Sequence, residues 1–223
     1  MSDFPIPTGT LVVSCQSRPG VPLQGPEAMT LLARAAVYGG ATGIRANGPA
    51  DITAIRAAVS VPIIGLHKVG VGPVYLTPSV RYAAAVVAAG ADIVAVDGTM
   101  RSRPDGTTAA EQIRTIRERF GVPVLADVDS VEAALWAREA GAAAVATTLS
   151  GYTGGQTPDE PDLDLVAALV RRLDCPVVAE GRYRTGAQVR AALDAGATAV
   201  VVGTAITDPA AITARLIRES LIS

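Results

Sequence analysis

Lysine is nearly absent from this chain. Of 223 residues, nineteen are Lys or Arg, and only Lys68 is lysine. Histidine occurs once, as His67, and cysteine twice, as Cys15 and Cys175. So few His and Cys argue against a zinc or iron site, which takes several such ligands, and no metal is expected. Two cysteines make no disulfide framework. A net charge of -2 and a pI near 5.4 give no electrostatic footprint for nucleic acid. No apolar run approaches the roughly 18 residues that span a bilayer, so no membrane partner is expected. The N-terminus, Met1-Ser2-Asp3-Phe4-Pro5, has no charged segment followed by an apolar one, so no signal peptide is expected. What these absences leave is a cytoplasmic, enzyme-sized domain.

The shortage of lysine has a chemical meaning. Arg stays protonated in any protein setting, whereas Lys can lose its proton and act as a base or nucleophile. A chain that uses Arg for every other strongly basic side chain, yet keeps one Lys, points to a position that needs a titratable amine. Lys68 ends an apolar run, Val61-Pro62-Ile63-Ile64-Gly65-Leu66-His67-Lys68.

With 49% apolar residues the chain can bury a sizeable core. Short, nearly continuous apolar segments recur at Leu11-Gln16, Gly43-Asn47, Ile63-Lys68, Ile93-Asp97, Val124-Val128, Ala144-Leu149, Val177-Glu180 and Ala199-Gly203. This is the pattern of parallel strands buried on both faces. Between them lie helical spacings such as Glu111-Ile113-Ile116-Phe120. The punctuation alternates. Gly tags at Gly40, Gly90, Gly141 and Gly196 precede even strands, and Pro62, Pro123 and Pro176 precede odd ones. The pattern predicts a single (β/α)8 barrel domain over residues 1–223, with 1–8 as an N-terminal tail or lead-in. A doubly wound sheet explains the fourfold alternation less naturally.

Barrel chemistry sits at the C-terminal strand ends. Gln16, Arg45, Lys68, Asp97, Asp127, Thr147 or Thr148, and Glu180 all fall there. About 16 positions, two per strand, lie at such ends, so a randomly placed lysine lands there less than one time in ten. Strand alternation puts Lys68 on the face of Ile64 and Leu66 and turns His67 toward the helices. After strands seven and eight, Gly181-Arg182 and Gly203-Thr204 suit a phosphate. Gly151-Tyr152-Thr153-Gly154-Gly155-Gln156-Thr157-Pro158 is a lid candidate. Arg101-Ser102-Arg103-Pro104-Asp105-Gly106 is a second polar segment that could line the mouth.

The segments Ser14-Cys15-Gln16, Gly43-Ile44-Arg45-Ala46-Asn47, Arg103-Pro104-Asp105-Gly106, Ala126-Asp127, Thr147-Thr148-Leu149-Ser150-Gly151-Tyr152-Thr153 and Ala179-Glu180-Gly181-Arg182 occur in that order. Together they resemble the N-acetylmannosamine-6-phosphate 2-epimerases, from about Leu11 to Pro209. The resemblance implies a (β/α)8 barrel that works without a cofactor on a small phosphorylated amino sugar in sialic acid and amino-sugar catabolism. It implies Lys68 and Glu180 as catalytic residues, and Gln16, Arg45, Asp127 and Thr148 as sugar-binding ones. Gly181, Arg182, Gly203 and Thr204 match the family's phosphate site. Two positions depart from the family pattern: Met100 and Asp208 stand where basic residues are usual. The family tends to form homodimers, and Ile212-Leu216-Ile217 is available to a neighbour or to the chain's own barrel. A Schiff-base lyase using Lys68, and a sugar-phosphate-binding barrel without catalysis, stay open as alternatives.

Overall fold

The computed structural model describes residues 4–17, 20–155 and 157–220. Eight parallel strands pair in sequence order and close into a barrel. They are β1 (Thr10–Cys15), β2 (Gly43–Asn47), β3 (Ile63–Leu66), β4 (Ile93–Asp97), β5 (Val124–Asp127), β6 (Ala144–Ala146), β7 (Val177–Glu180) and β8 (Ala199–Val202). The helices are α1 (Pro26–Tyr38), α2 (Pro49–Ala58), α3 (Val80–Ala88), α4 (Ala109–Phe120), α5 (Val131–Glu139), α6 (Leu163–Arg172), α7 (Gly186–Asp194), the short α8 (Thr204–Thr207) and α9 (Pro209–Ser220). The fold is the predicted (β/α)8 barrel.

The punctuation read from the sequence has a direct structural counterpart. Gly40, Gly90, Gly141 and Gly196 take φ values of 96 to 100°. Each donates its N–H to the carbonyl three residues back, and the alanine after it donates to the carbonyl five back. This is the Schellman helix stop, and its left-handed residue has no room for a side chain without strain. Pro62, Pro123 and Pro176 enter β3, β5 and β7 by a different device. Each accepts a bond from the neighbouring strand, from Ile44, Val94 and Val145 respectively, at a place where no donor is needed. Helix starts are equally local: Thr108 with Glu111, and Thr185 with Gln188, form capping boxes at α4 and α7.

Alternate residues of each strand point inward. Val12, Ile64, Leu66, Ile93, Leu125, Val178 and Val201 fill the barrel, with Phe4 and Ile6 of the lead-in packed among them. Gly43 leaves the room that Ile6 takes, since a Cβ there would lie 2.9 Å from the Ile6 side chain. The opposite strand faces pack on the helices, where Ile44, Ala46, Ile52, Ile55, Val94, Val96, Ile113 and Ile116 are fully buried.

Several strand ends differ from the expected ones, most at β3 and β6. Strand β3 stops at Leu66, not Lys68. His67, Lys68 and Val69 pair instead with a returning segment: Lys68 bridges Leu76, Val69 N donates to Tyr75 O (2.8 Å), and Thr77 N donates to His67 O (2.8 Å). Strand β6 stops at Ala146, and Thr147–Leu149 form a 3-10 turn. The Thr147 hydroxyl takes over the ladder, accepting from Glu180 N (3.0 Å) and donating to Glu180 O (2.9 Å). The eighth outer helix is also unlike the others, because no residue of α9 is buried. Leu216 and Ile217 are each 56% exposed.

Gly65 of β3 lies beneath α2 and α3. A Cβ there would meet Ala91 and Val86 at 2.6 Å and Ile52 at 3.1 Å. Gly65→Ala is therefore expected to cost about 1–3 kcal/mol by overpacking, seen as a lower midpoint in thermal or denaturant unfolding.

Candidate active site

Inward alternation carries Ser14, Arg45, Asp127 and Glu180 to the C-terminal mouth, with Gln16, Lys68, Thr148 and Gly203 just past the strand ends. The mouth is an open cavity of about 560 Å³, lined in part by Gln16, Arg45, Lys68, Thr148, Glu180 and Gly203. At its floor lies Arg45, 1% exposed. Its Nη1 and Nη2 meet the two oxygens of Asp127 at 2.9 and 2.6 Å, and Nη1 also meets Glu180 Oε2 at 2.5 Å. The Thr148 hydroxyl lies 2.5 Å from Asp127 Oδ1 and 3.2 Å from Glu180 Oε2. Asp127 is 0% exposed, behind Arg45. It holds the guanidinium rather than bordering the cavity.

Arg45, Glu180 and Lys68 share this space, and burial and neighbouring charge act on each differently. Burial alone would weaken the Arg45 charge, but Asp127 and Glu180 together outweigh it and raise its pKa, so it is a fixed cation. Burial pushes the Glu180 carboxyl up to about 7, and Asp127 adds to this against the pull of Arg45, Thr148 and Lys68. Burial lowers the Lys68 ammonium and Arg45 lowers it further, against Glu180 and Asp127. Lys68 is open to the cavity on one side, yet it is surrounded by enough protein for desolvation to be the largest influence. A carboxyl shifted up and an amine shifted down stand closer in proton affinity than the free groups do, which favours proton exchange between them.

The Lys68 backbone is tied on both sides. Its N–H donates to Asn47 Oδ1 of β2 (2.8 Å), and its other edge bridges Leu76. His67 faces the helices as alternation predicts, its ring edge-on to Tyr82 of α3 at 5.3 Å.

At the other loops, Gly181 and Arg182 take φ values of 111 and 65°. Arg182 borders the cavity and is anchored there: its Nη1 donates to Ser150 O (2.5 Å) and its Nε to Glu160 O (2.6 Å), and its guanidinium lies over the Tyr152 ring at 5.3 Å. It thereby ties the 151–158 loop to β7, while Ser150 Oγ bonds Asp162 at 2.5 Å. Gln156 lies outside the described residues. Gly203 caps α8 beside Ser14, whose Cβ would be 3.2 Å from an added Cβ at 203. Thr204 borders the same cavity.

The Arg101–Gly106 segment does not line the mouth. Arg101 pairs with Asp97 (2.7 Å), and Arg103 turns inward onto Gln112 (2.8 Å) and the Asp97 carbonyl. Asp97 is likewise spent on Thr99 and Arg101, and the Leu76 carbonyl caps its N–H. Met100 is 54% exposed on that loop. Asp208 caps α9, accepting from Ala211 N at 2.9 Å, and also borders the mouth. Several lining residues escaped the sequence reading: Ser14, Tyr75, Arg184, Arg215 and Arg218. Ser14 shares the face of Gln16 and was accessible by alternation. Tyr75 depends on the returning segment, and Arg215 and Arg218 on where α9 lies.

Known proteins are similar to this chain in sequence and fold. The NanE family model, described as an N-acetylmannosamine-6-phosphate epimerase, matches residues 29–220. A Cutibacterium acnes relative bearing the name N-acetylmannosamine-6-phosphate 2-epimerase is 51% identical over 208 residues, covering 92% of this chain and 91% of the relative. A relative of the same name from Caldanaerobacter subterraneus is 45% identical over 212 residues, covering 93% and 89%. The solved N-acetylmannosamine-6-phosphate 2-epimerase from Clostridium perfringens matches with a TM-score of 0.92 at 35% identity, covering 96% of this chain and 94% of that one. Fold, site and relatives define a (β/α)8-barrel isomerase of the carbohydrate-epimerase class. The chain belongs to the NanE family of N-acetylmannosamine-6-phosphate epimerases.

Two outcomes test the electrostatics. Arg45→Met strands two buried carboxylates and is expected to cost about 3–5 kcal/mol in denaturant unfolding. Glu180 gains its proton more readily folded than unfolded, because its ordinary value near ~4.3 rises to about 7. Its contribution to stability is full below the ordinary value and is lost as pH rises through about 7. The stability difference between wild type and Glu180→Gln should fall across that window and level off above it.

Proposed function

We propose that the protein interconverts N-acetyl-D-mannosamine 6-phosphate and N-acetyl-D-glucosamine 6-phosphate by moving the proton at C2. One observation carries the reading: the lone lysine, Lys68, and the Glu180 carboxyl line one cavity together with Arg45, which is paired to Glu180. In the open-chain sugar, C2–H is acidified by the C1 aldehyde. Neutral Lys68 takes that proton, the C–H electrons move to the carbonyl, and an enolate forms. Arg45, a cation that cannot give up its proton, stabilises the negative charge. Return of a proton to the opposite face inverts C2, with Glu180 as the partner acid. No cofactor enters this sequence.

Within this reading Gln16 and Thr148 contact the sugar, and Asp127 acts by holding Arg45. Gly181, Gly203 and Thr204 offer backbone at the phosphate end. Arg182 offers the phosphate its remaining guanidinium donors while anchoring the residues that flank the 151–158 loop, and Arg184, Arg215 and Arg218 add positive charge around the cavity. Among the described residues no helix is long and apolar enough to cross a membrane. A cytoplasmic setting and a homodimer belong to the same proposal. The exposed Leu216 and Ile217 of α9 supply an apolar face for a second copy, and Leu216→Asp should lower the mass measured by light scattering.

The direct test is incubation with N-acetylmannosamine 6-phosphate in deuterated water. Deuterium should enter C2 as the epimer forms. Lys68→Arg keeps the charge and gives up the titratable amine, so at least a ~1,000-fold loss of exchange is expected. Exchange within a few-fold of wild type would remove Lys68 as the base. A borohydride-trapped adduct on Lys68 would favour Schiff-base chemistry instead.

A further inference from the structure

We propose that Thr77 and Gln112 are positioning residues for Lys68, acting through the segment that folds back from the end of β3. Lys68 lies beyond the last ladder residue of its strand, so β3 alone does not fix it. What fixes it is the returning segment at Tyr75–Thr77, which pairs with His67, Lys68 and Val69. Thr77 is the keystone of that return. It is fully buried, and its φ of 46° is one that a β-branched residue rarely adopts. The conformation persists because every polar group of Thr77 is committed. Its N–H donates to His67 O (2.8 Å), and its hydroxyl accepts from His67 N (3.1 Å) and donates to Ala95 O of β4 (2.7 Å). Its carbonyl accepts from Gln112 Nε2 (2.7 Å).

Gln112 projects from α4 and is 1% exposed. Its oxygen is fixed in turn by Arg103 Nε at 2.8 Å, which settles which end of the amide faces Thr77. Arg103 also donates to the Asp97 carbonyl at the end of β4. The route therefore runs from β4 and α4 through Gln112 and Thr77 to the peptide preceding Lys68. Neither Thr77 nor Gln112 borders the cavity, so neither touches the sugar. Their effect is on the placement of the amine against Arg45 of β2, Asp127 of β5 and Glu180 of β7, the charged groups that act on Lys68. A loosened Lys68 swings toward water and regains ordinary lysine basicity.

The inference rests on Lys68 being the base. Thr77→Val keeps the branched shape and removes the hydroxyl, whereas Thr77→Ser keeps it. Gln112→Glu keeps the acceptor for Arg103 and loses the donor to Thr77 O. With N-acetylmannosamine 6-phosphate as probe, Thr77→Val and Gln112→Glu should lower kcat about 10- to 100-fold with KM within ~3-fold. Their rise in rate with pH, which reports loss of the Lys68 proton, should move to higher pH, and Thr77→Ser should restore both kcat and profile. Because the two variants lie in different elements, misfolding of one leaves the other to decide. A folded variant with wild-type kcat and an unmoved pH profile overturns the proposal. Deuterium exchange at C2 by wild type separates the two failures. Its absence removes the epimerase reading, and its presence beside unaffected variants removes only the positioning role.

Discussion

A single buried guanidinium organises the centre of this barrel. Arg45 sits almost without solvent between Asp127 and Glu180, and a charge so placed is tolerable only because it is paired on both sides. The bonds also run across the interior, linking β2 to β5 and β7, with Thr148 beyond β6 completing the set. Arg suits this place because its planar fork meets Asp127 with two parallel bonds and cannot be neutralised. With the permanent charge fixed there, Lys68 is free to be the group that titrates. The two cations thus differ in kind at one site: an arginine whose charge is constant, and the chain's one lysine, whose proton affinity burial lowers.

Much of this was readable in the sequence because it depends on local rules. The Gly tags and X-Pro starts report backbone conformations that few residues allow, and they repeat, so they specify the order and number of units. Alternation along β3 then separates Lys68 from His67 without reference to anything distant. The same logic reaches Arg45, Asp127 and Glu180. It fails where one loop rests on another. Nothing in Arg101-Ser102-Arg103 says that Arg101 folds onto Asp97 and Arg103 onto Gln112, since both partners are defined only once β4 and α4 are in place. Arg182 reads as a phosphate ligand by its position after a strand, but nothing local says that its Nε and Nη1 also bond the carbonyls of Glu160 and Ser150. The end of β6 differs for a similar reason. Thr147 replaces a ladder partner with its hydroxyl, a substitution that neither propensity nor apolar pattern reveals.

The mouth is thus held by two kinds of structure. The floor is rigid, set by strand registry and the Arg45 ion pairs. The walls are loop segments, each pinned by side chain–backbone bonds: Tyr75–Thr77 by Gln112, the 151–158 loop by Arg182, and the α9 start by Asp208. A site built this way takes the charges of its floor from the strands and its rim from the loops.

Alternation inside β3 also bears on how this sequence can change through descent. Substitution of one apolar residue for another in the strand leaves the direction of Lys68 untouched. Loss of a single residue, for instance Leu66, does not. It would hand the inward position to His67 and send the amine toward Tyr82 and the helices, leaving a closed barrel whose mouth has lost its amine. For this strand, a deletion turns the amine away whereas an apolar exchange leaves it in place.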